Sequence, residues 1–384
     1  MNWNRMGLQM AVLSCAAFAA TAGYAADLPK STQKMLADLK LTGDPVVADI
    51  DEEVHSGDAL VAAANKEGGF DYSSSFSVEI FNKMTAPFRE RYPGVKIRYS
   101  SGDQFARNVK PIIAYKEGRI LYDIVDGLGV NLSDYIDAGA IQKTNDIPTT
   151  KYVPDDIKDP QGYWLAPRVQ YWCMTYNTNN VKKADLPKSW EDMLSAKAFY
   201  NGRIGMVNRP NNHMIMLWGA MGPEWSANYM EKLFTVVKPQ FRKEGSDAIV
   251  GLTAVGEMDI SFPTSNYRTF EYDEKGAPVA WHCPTPVPLS FSALVLMNKS
   301  PNTNAAKLYI NWYLSKEGQI SQYYADKSPP VHTELQDPRF LVYAEEVKGK
   351  PTAVRTPELL EKDMSKVSDL WSAQWDKAMS AGKR

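Results

Sequence analysis

Apolar and polar positions follow two alternating rhythms along this chain. Val95, Ile97 and Tyr99 alternate with polar residues, the period-two pattern of a half-buried strand, and Pro93-Gly94 turns the chain into it. Just upstream, Ile80, Phe81, Met84 and Phe88 keep a helical spacing in which Pro87 must mark a kink or a break. Phe70 opens a short strand that runs into Ser73-Ser74-Ser75. The alternation then repeats: a turn at Gly102-Asp103, a helix to Gly118, and a strand near Tyr122 to Val125. Further on, the segment from Arg168 to Tyr176 is rich in aromatic and β-branched residues and reads as a strand suited to a crossover between lobes. Helical patterns follow Trp190, Asn211, Trp225 and Ser246, with strands near Arg203 to Val207 and Asp259 to Phe262. Ala293 to Met297 is a short continuous apolar run, as expected of a strand covered on both faces. Asn302 and Thr303 offer N-caps to the next helix, which places Ala305, Leu308, Tyr309, Trp312 and Tyr313 on one face. Strands alternating with helices predict an α/β fold of mostly parallel sheets flanked by helices.

A chain of 384 residues with 44% hydrophobic positions exceeds the usual size of one core, so two lobes are expected. Arg5, the apolar stretch from Gly7 to Ala20 and the small-residue site at Gly23-Tyr24-Ala25 read as a secretory leader, residues 1–25, and hence a periplasmic destination. No later stretch has the length of a membrane span. The net charge of −2, with both signs interspersed, argues against nucleic acid as a partner. With Cys15 in the leader, Cys173 and Cys283 remain; they are either a disulfide in an oxidising compartment or two separate buried thiols. Four histidines, poorly grouped, and the absence of a Gly-x-Ser-x-Gly elbow or a His-Glu-x-x-His motif exclude the familiar hydrolases, and no cofactor is called for.

Five stretches, AANKEGGFDYSSS, SGDQFARNVK, RVQYWCMTYNT, NGRIGMVNRPNNH and the return run from Gly276 to Gln319, together resemble family 1 extracellular solute-binding proteins, the ligand-capturing subunits of ABC importers. The similarity covers most of residues 66–335 and leans to the ferric-iron-binding branch. It implies a two-lobed periplasmic binding protein fold of type 2 with the ligand in a cleft at the hinge, no catalysis, a permease in the inner membrane as partner, and a monomer. The expected division is an N-terminal helical extension over 26–69, one lobe from 70–173 plus 288–330, and a second from 174–287 plus 331–384.

Candidate ligand groups sit where strands end or helices begin. Ser73, Ser74 and Ser75 either meet an anion or cap the following helix. Asp103 and Gln104 sit similarly, with Asp103 read mainly as a cap. Arg168 corresponds to the arginine that meets the ligand's anion in the related proteins; otherwise it is a structural ion pair. Arg209, Asn211 and Asn212 lie in a strand-to-helix loop, and Ser265, Asn266, Tyr267 and Arg268 in another. The iron branch places adjacent tyrosines at this last stretch, whereas here Tyr267 is followed by an arginine. A guanidinium beside the site opposes a bound cation. The expected ligand is therefore a small anionic or polyhydroxylated organic solute. Ferric iron held by Tyr267 and Tyr72 is the alternative, and a solute sensor for a membrane receptor a lesser one.

Overall fold

The computed structural model describes residues 28–195 and 202–381, so the expected leader lies outside the described residues. The strands are β1 (Gly69–Ser74), β2 (Lys96–Ser101), β3 (Ile124–Leu128), β4 (Ile141–Gln142), β5 (Val169–Asn177), β6 (Ile204–Val207), β7 (Gln240–Arg242), β8 (Ile260–Ser265), β9 (Val279–His282), β10 (Val287–Phe291), β11 (Ala293–Met297) and β12 (Thr352–Arg355). They form one sheet in the order β2-β1-β3-β11-β4 and another in the order β12-β10-β5-β8-β6-β7, with β9 also on β5. Helices flank both, and each sheet has its own apolar cluster. The two-lobed α/β fold is as the sequence predicts.

The sheets are less parallel than expected. β1 pairs in parallel with β2 and β3, and β6 with β7 and β8. β11 runs antiparallel to β3 and β4, and β5 antiparallel to β8, β9 and β10. The antiparallel pairs all involve β5 or β11, the strands that follow the two interlobe crossovers. Pro87 resolves as a break: one helix ends at Met84 and the next, Ala86–Arg91, carries Pro87 in its first turn, where a missing N–H costs nothing. Among the described residues, the pattern after Trp190 yields a short 3-10 turn, Asp192–Leu194.

The helix Thr303–Leu314 departs from expectation in two ways. Asn302 makes no side-chain cap; its amide donates instead to Asp123, 3.1 Å away. The cap is Glu67, at the end of the helix Asp58–Glu67, whose carboxylate accepts from the backbone N–H of Asn304 (3.2 Å) and Ala305 (2.7 Å). A carboxylate there also meets the positive end of the helix dipole. The helix is covered on more than one face, with every residue from Leu308 to Leu314 buried, because it packs against Asp58–Glu67 and Pro148–Tyr152 as well as β1.

The residues before β1 are anchored by an apolar cluster with Ile320, Tyr323, Leu335 and Phe340 and by a buried carboxylate, Glu317. Glu317, fully buried, accepts from Thr32 Oγ1 (2.5 Å), Arg91 Nε (2.7 Å), Arg91 Nη2 (3.0 Å) and Trp312 Nε1 (2.7 Å). Asp51 pairs with the remaining end of Arg91 at 2.7 Å. Breaking a buried, hydrogen-bonded ion pair from one side strands the other charge. Glu317→Ala should therefore lower stability by about 3–5 kcal/mol, measured as a lower urea midpoint at unchanged m-value.

Candidate ligand cleft

The two crossover strands pair side by side. β10 lies between β12 and β5, with Ser290 opposite Gln170 on one side and Arg355 on the other, and Trp172 of β5 lies opposite Ser265 of β8. Side chains directly across a ladder share a face, and alternate residues along a strand share it too. Arg355, Ser290, Gln170, Trp172 and Ser265 therefore belong to one face, as the bond from Trp172 Nε1 to Ser290 Oγ at 2.8 Å bears out. Val169, Tyr171, Leu289 and Val354 occupy the opposite face, where they line a cavity of about 400 Å³ together with residues of the segment from Pro329 to Lys348. Tyr171 is thus turned away from Trp172, and Trp281 is inside the second lobe with its Nε1 on Thr264 O at 3.1 Å.

Arg168 precedes β5 at the lobe junction. Its Nη2 donates to Ser75 Oγ at 2.7 Å, its guanidinium carbon is 4.1 Å from the centre of the Phe76 ring, and its buried Nε has no partner. Burial opposes its charge, but Asp126 and further oxygen groups outweigh this and hold it above the ordinary guanidinium range. Asp126 is fully buried in β3; it accepts from Tyr72 Oη (2.9 Å) and Ser74 Oγ (3.0 Å), and its second oxygen is unpartnered. Arg107 lies in the same field, its Nε on Gly102 O at 2.8 Å and its buried Nη1 unpartnered. Gly127, at φ +99°, permits this approach, since a Cβ there would lie 2.7 Å from Arg107 Nη1.

The three serines divide. Ser75 is exposed and bound to Arg168, Ser74 holds Asp126, and Ser73 is buried with its hydroxyl unpartnered. None caps the helix Val78–Met84; Ser77 does, accepting from Ile80 N at 3.2 Å. Asp103 acts as a cap, its Oδ1 accepting from Ala106 N at 2.8 Å, while Gln104 reaches Asn131 at 3.4 Å. Tyr72 is enclosed by Phe81, Tyr99 and Tyr309, and burial, then Asp126, push its phenol well above the ordinary range.

On the second lobe, Ser265 and Asn266 are buried at the start of the helix Asn266–Asp273, with Ser265 Oγ and Asn266 Oδ1 unpartnered. Tyr267 is half-buried near Asp326 and Arg268. Arg268 is committed to carboxylates of its own lobe, Asp247 at 3.2 Å and Glu271. Arg209 is exposed, and Asn211 and Asn212 are half-buried. Their loop is tied down by residues far along the chain: Trp371 Nε1 donates to Asn208 Oδ1 at 2.8 Å, and Arg355 Nη1 to Asn211 O at 3.0 Å. Cys173 and Cys283 form a disulfide, Cα to Cα 5.1 Å, within this lobe.

A model of bacterial extracellular solute-binding proteins matches residues 83–353. The chain belongs to that family. It is a solute-binding protein rather than an enzyme. No curated protein sequence matches it. Similar solved structures include an extracellular solute-binding protein from Bordetella parapertussis, 20% identical with a TM-score of 0.67, covering 80% of this chain and 99% of that one. Iron-bound HitA from Pseudomonas aeruginosa is 18% identical with a TM-score of 0.64, covering 80% and 99%. AfuA from Actinobacillus pleuropneumoniae, with fructose-6-phosphate bound, is 17% identical with a TM-score of 0.62, covering 80% and 98%. At these identities the likeness establishes the fold.

Against the family frame, the sequence reading passed over Asp126, Arg107, Asp326 and Arg355. Asp326 ends the helix Lys316–Asp326; Ser328 N and Oγ each donate to it at 2.9 Å, and burial, countered by Arg168, raises its carboxyl. A signal existed for Asp126, a lone carboxylate in an otherwise apolar strand. Arg355 carried none.

His213, the last residue of the expected ligand loop, points inward. It is 1% exposed, ringed by Trp190, Phe262 and Trp371, and neither ring nitrogen has a partner. Burial pushes it down to about 4 from the usual 6.5. Between those values the unfolded chain holds a proton that the folded one refuses, so stability is lost as pH falls through that window. The wild type should lose about 3 kcal/mol more than His213→Gln between pH 6.5 and 4, read by denaturant titration. Equal losses would mean that the folded protein protonates this ring freely.

Proposed function

We propose that this chain, delivered to the periplasm by its leader, captures a small anionic or polyhydroxylated organic solute between its lobes and presents it to the permease of an ABC importer. Arg168 carries the reading. It is 6% exposed, and among the described residues the one hydrogen bond from its five guanidinium donors goes to Ser75, with no carboxylate in direct contact. A buried fork of donors beside exposed Ser75 suits a carboxylate, phosphate or phosphonate oxygen. Binding to groups on both lobes favours the closed form, and closure is what a permease distinguishes.

The iron-bound neighbour raises ferric iron as a second reading, and the donors here suit it poorly. Tyr72 is a buried phenol that donates to Asp126 and is held protonated, whereas ferric iron takes phenolate. Among the described residues, no group of three or more His, Cys, Asp or Glu side chains is placed to hold a metal ion. AfuA, with its bound sugar phosphate, shows that the same fold accommodates an anionic organic ligand.

A native mass spectrum of the exported protein, purified gently, should show an organic adduct, and Arg168→Ala should lose it. An adduct of iron that survives Arg168→Ala would overturn the reading. Titration of the recovered solute should show Arg168→Ala binding more weakly by about 1.5–3 kcal/mol, the worth of a hydrogen bond to a charged group.

A further inference from the structure

We infer that Arg355 is a second anion-gripping residue of the cleft, so that the solute is held between two guanidiniums of the hinge ladder, Arg168 bonded to Ser75 of the first lobe and Arg355 to the Asn211 loop of the second. The inference rests on the cleft being an anion site, and it adds a residue just beyond the segment 83–353 that matches the family.

Arg355 ends β12, and the register Arg355–Ser290–Gln170 puts it on the face of the hinge ladder that holds Trp172 and Ser265. Adjacent strands lie about 4.8 Å apart, so Arg355 is roughly 10 Å from Gln170, and Arg168 lies two residues before Gln170, about 7 Å along the strand direction. Two arginine side chains reach across such a gap to a small molecule, not to a polymer. The partners of Arg355 are carbonyls: Nη1 donates to Asn211 O at 3.0 Å and Nη2 to Phe291 O at 3.2 Å, while Nε is buried and unpartnered.

No carboxylate forms an ion pair with Arg355 among the described residues, which sets it apart from Arg268, tied to Asp247 and Glu271. Burial alone acts on it and brings it down to about 10. A guanidinium withdrawn from water without a counter-ion is costly unless a ligand supplies one. The occupant this fits is an organic solute with an anionic group at the Arg355 end and a hydroxyl or second anionic group at the Ser75–Arg168 end.

Arg355 also pins the loop at Asn211 to the crossover at Phe291, so a purely structural role is the competing account. The test uses inorganic phosphate as probe, its binding to the full mature chain read by 31P line broadening, with the ligand-free melting temperature alongside. Wild type should broaden phosphate. Arg355→Met and Arg168→Ala should each bind it at least tenfold more weakly, and Arg355→Lys, which keeps the charge, should fall between. If Arg355→Met broadens phosphate like wild type while Arg168→Ala does not, Arg355 is structural and the inference falls, with the anion site intact. If Arg355→Met melts lower and Arg355→Lys binds no better than it, the charge is not what matters and the inference falls likewise. If wild type leaves the phosphate line sharp, the anion site itself is refuted and the inference with it.

Discussion

Two strands that follow or precede the crossovers, β5 and β10, lie antiparallel with Phe291 opposite Val169. Because strand side chains alternate, this register sorts every residue of the hinge to one of two faces. Gln170, Trp172, Ser290 and Arg355 go to the face shared with Ser265, and Tyr171, Leu289 and Val354 to a separate cavity behind it. A slip of one residue would exchange the two sets. The bond from Trp172 to Ser290 and the disulfide at Cys173 hold β5 in place on both sides.

The first wall depends on residues that precede the sheet. Thr32 and Asp51 complete the buried cluster of Arg91 and Glu317, and Glu317 lies in the first turn of the helix Lys316–Asp326. Two residues on, Gln319 donates to Pro167 O at 3.1 Å and accepts from Val331 N at 2.8 Å, fixing the backbone next to Arg168. The same helix ends in Asp326, whose charge acts on Arg168 and Tyr267. Residues that precede the sheet thereby help set the position of Arg168, on which the proposed capture rests.

What was legible in the sequence was local. The alternation of strand and helix, the buried run at β11, the break at Pro87 and the place of Arg168 all follow from period, propensity and resemblance. What was not legible depends on partners far apart in the chain. Glu67 caps a helix that Asn302 was expected to cap, because a carboxylate brought in by packing is better placed than the neighbouring amide. Asn211 and His213 lie together in sequence but serve different ends, since the C-terminal segment ties the first to Arg355 and helps bury the second. Arg268 looks like a ligand cation in one dimension and is a lobe-internal ion pair in three.

The arrangement of charge also bears on how capture couples to closure. A solute moves the lobes only by interacting differently with the open and closed forms. Arg168 and Arg355 stand on one ladder, so the repulsion between them, about 2 kcal/mol for two like charges at about 8 Å and an effective dielectric of 20, is present in the open and closed forms alike. On the two-arginine reading, an anion between the guanidiniums offsets that repulsion, and the coupling to closure comes from Ser75, the first-lobe group bonded to Arg168. A neutral sugar would add contacts without removing the repulsion. On that reading, selectivity for an anion belongs to the two arginines, and selectivity for the closed state to the first-lobe groups that meet the same solute.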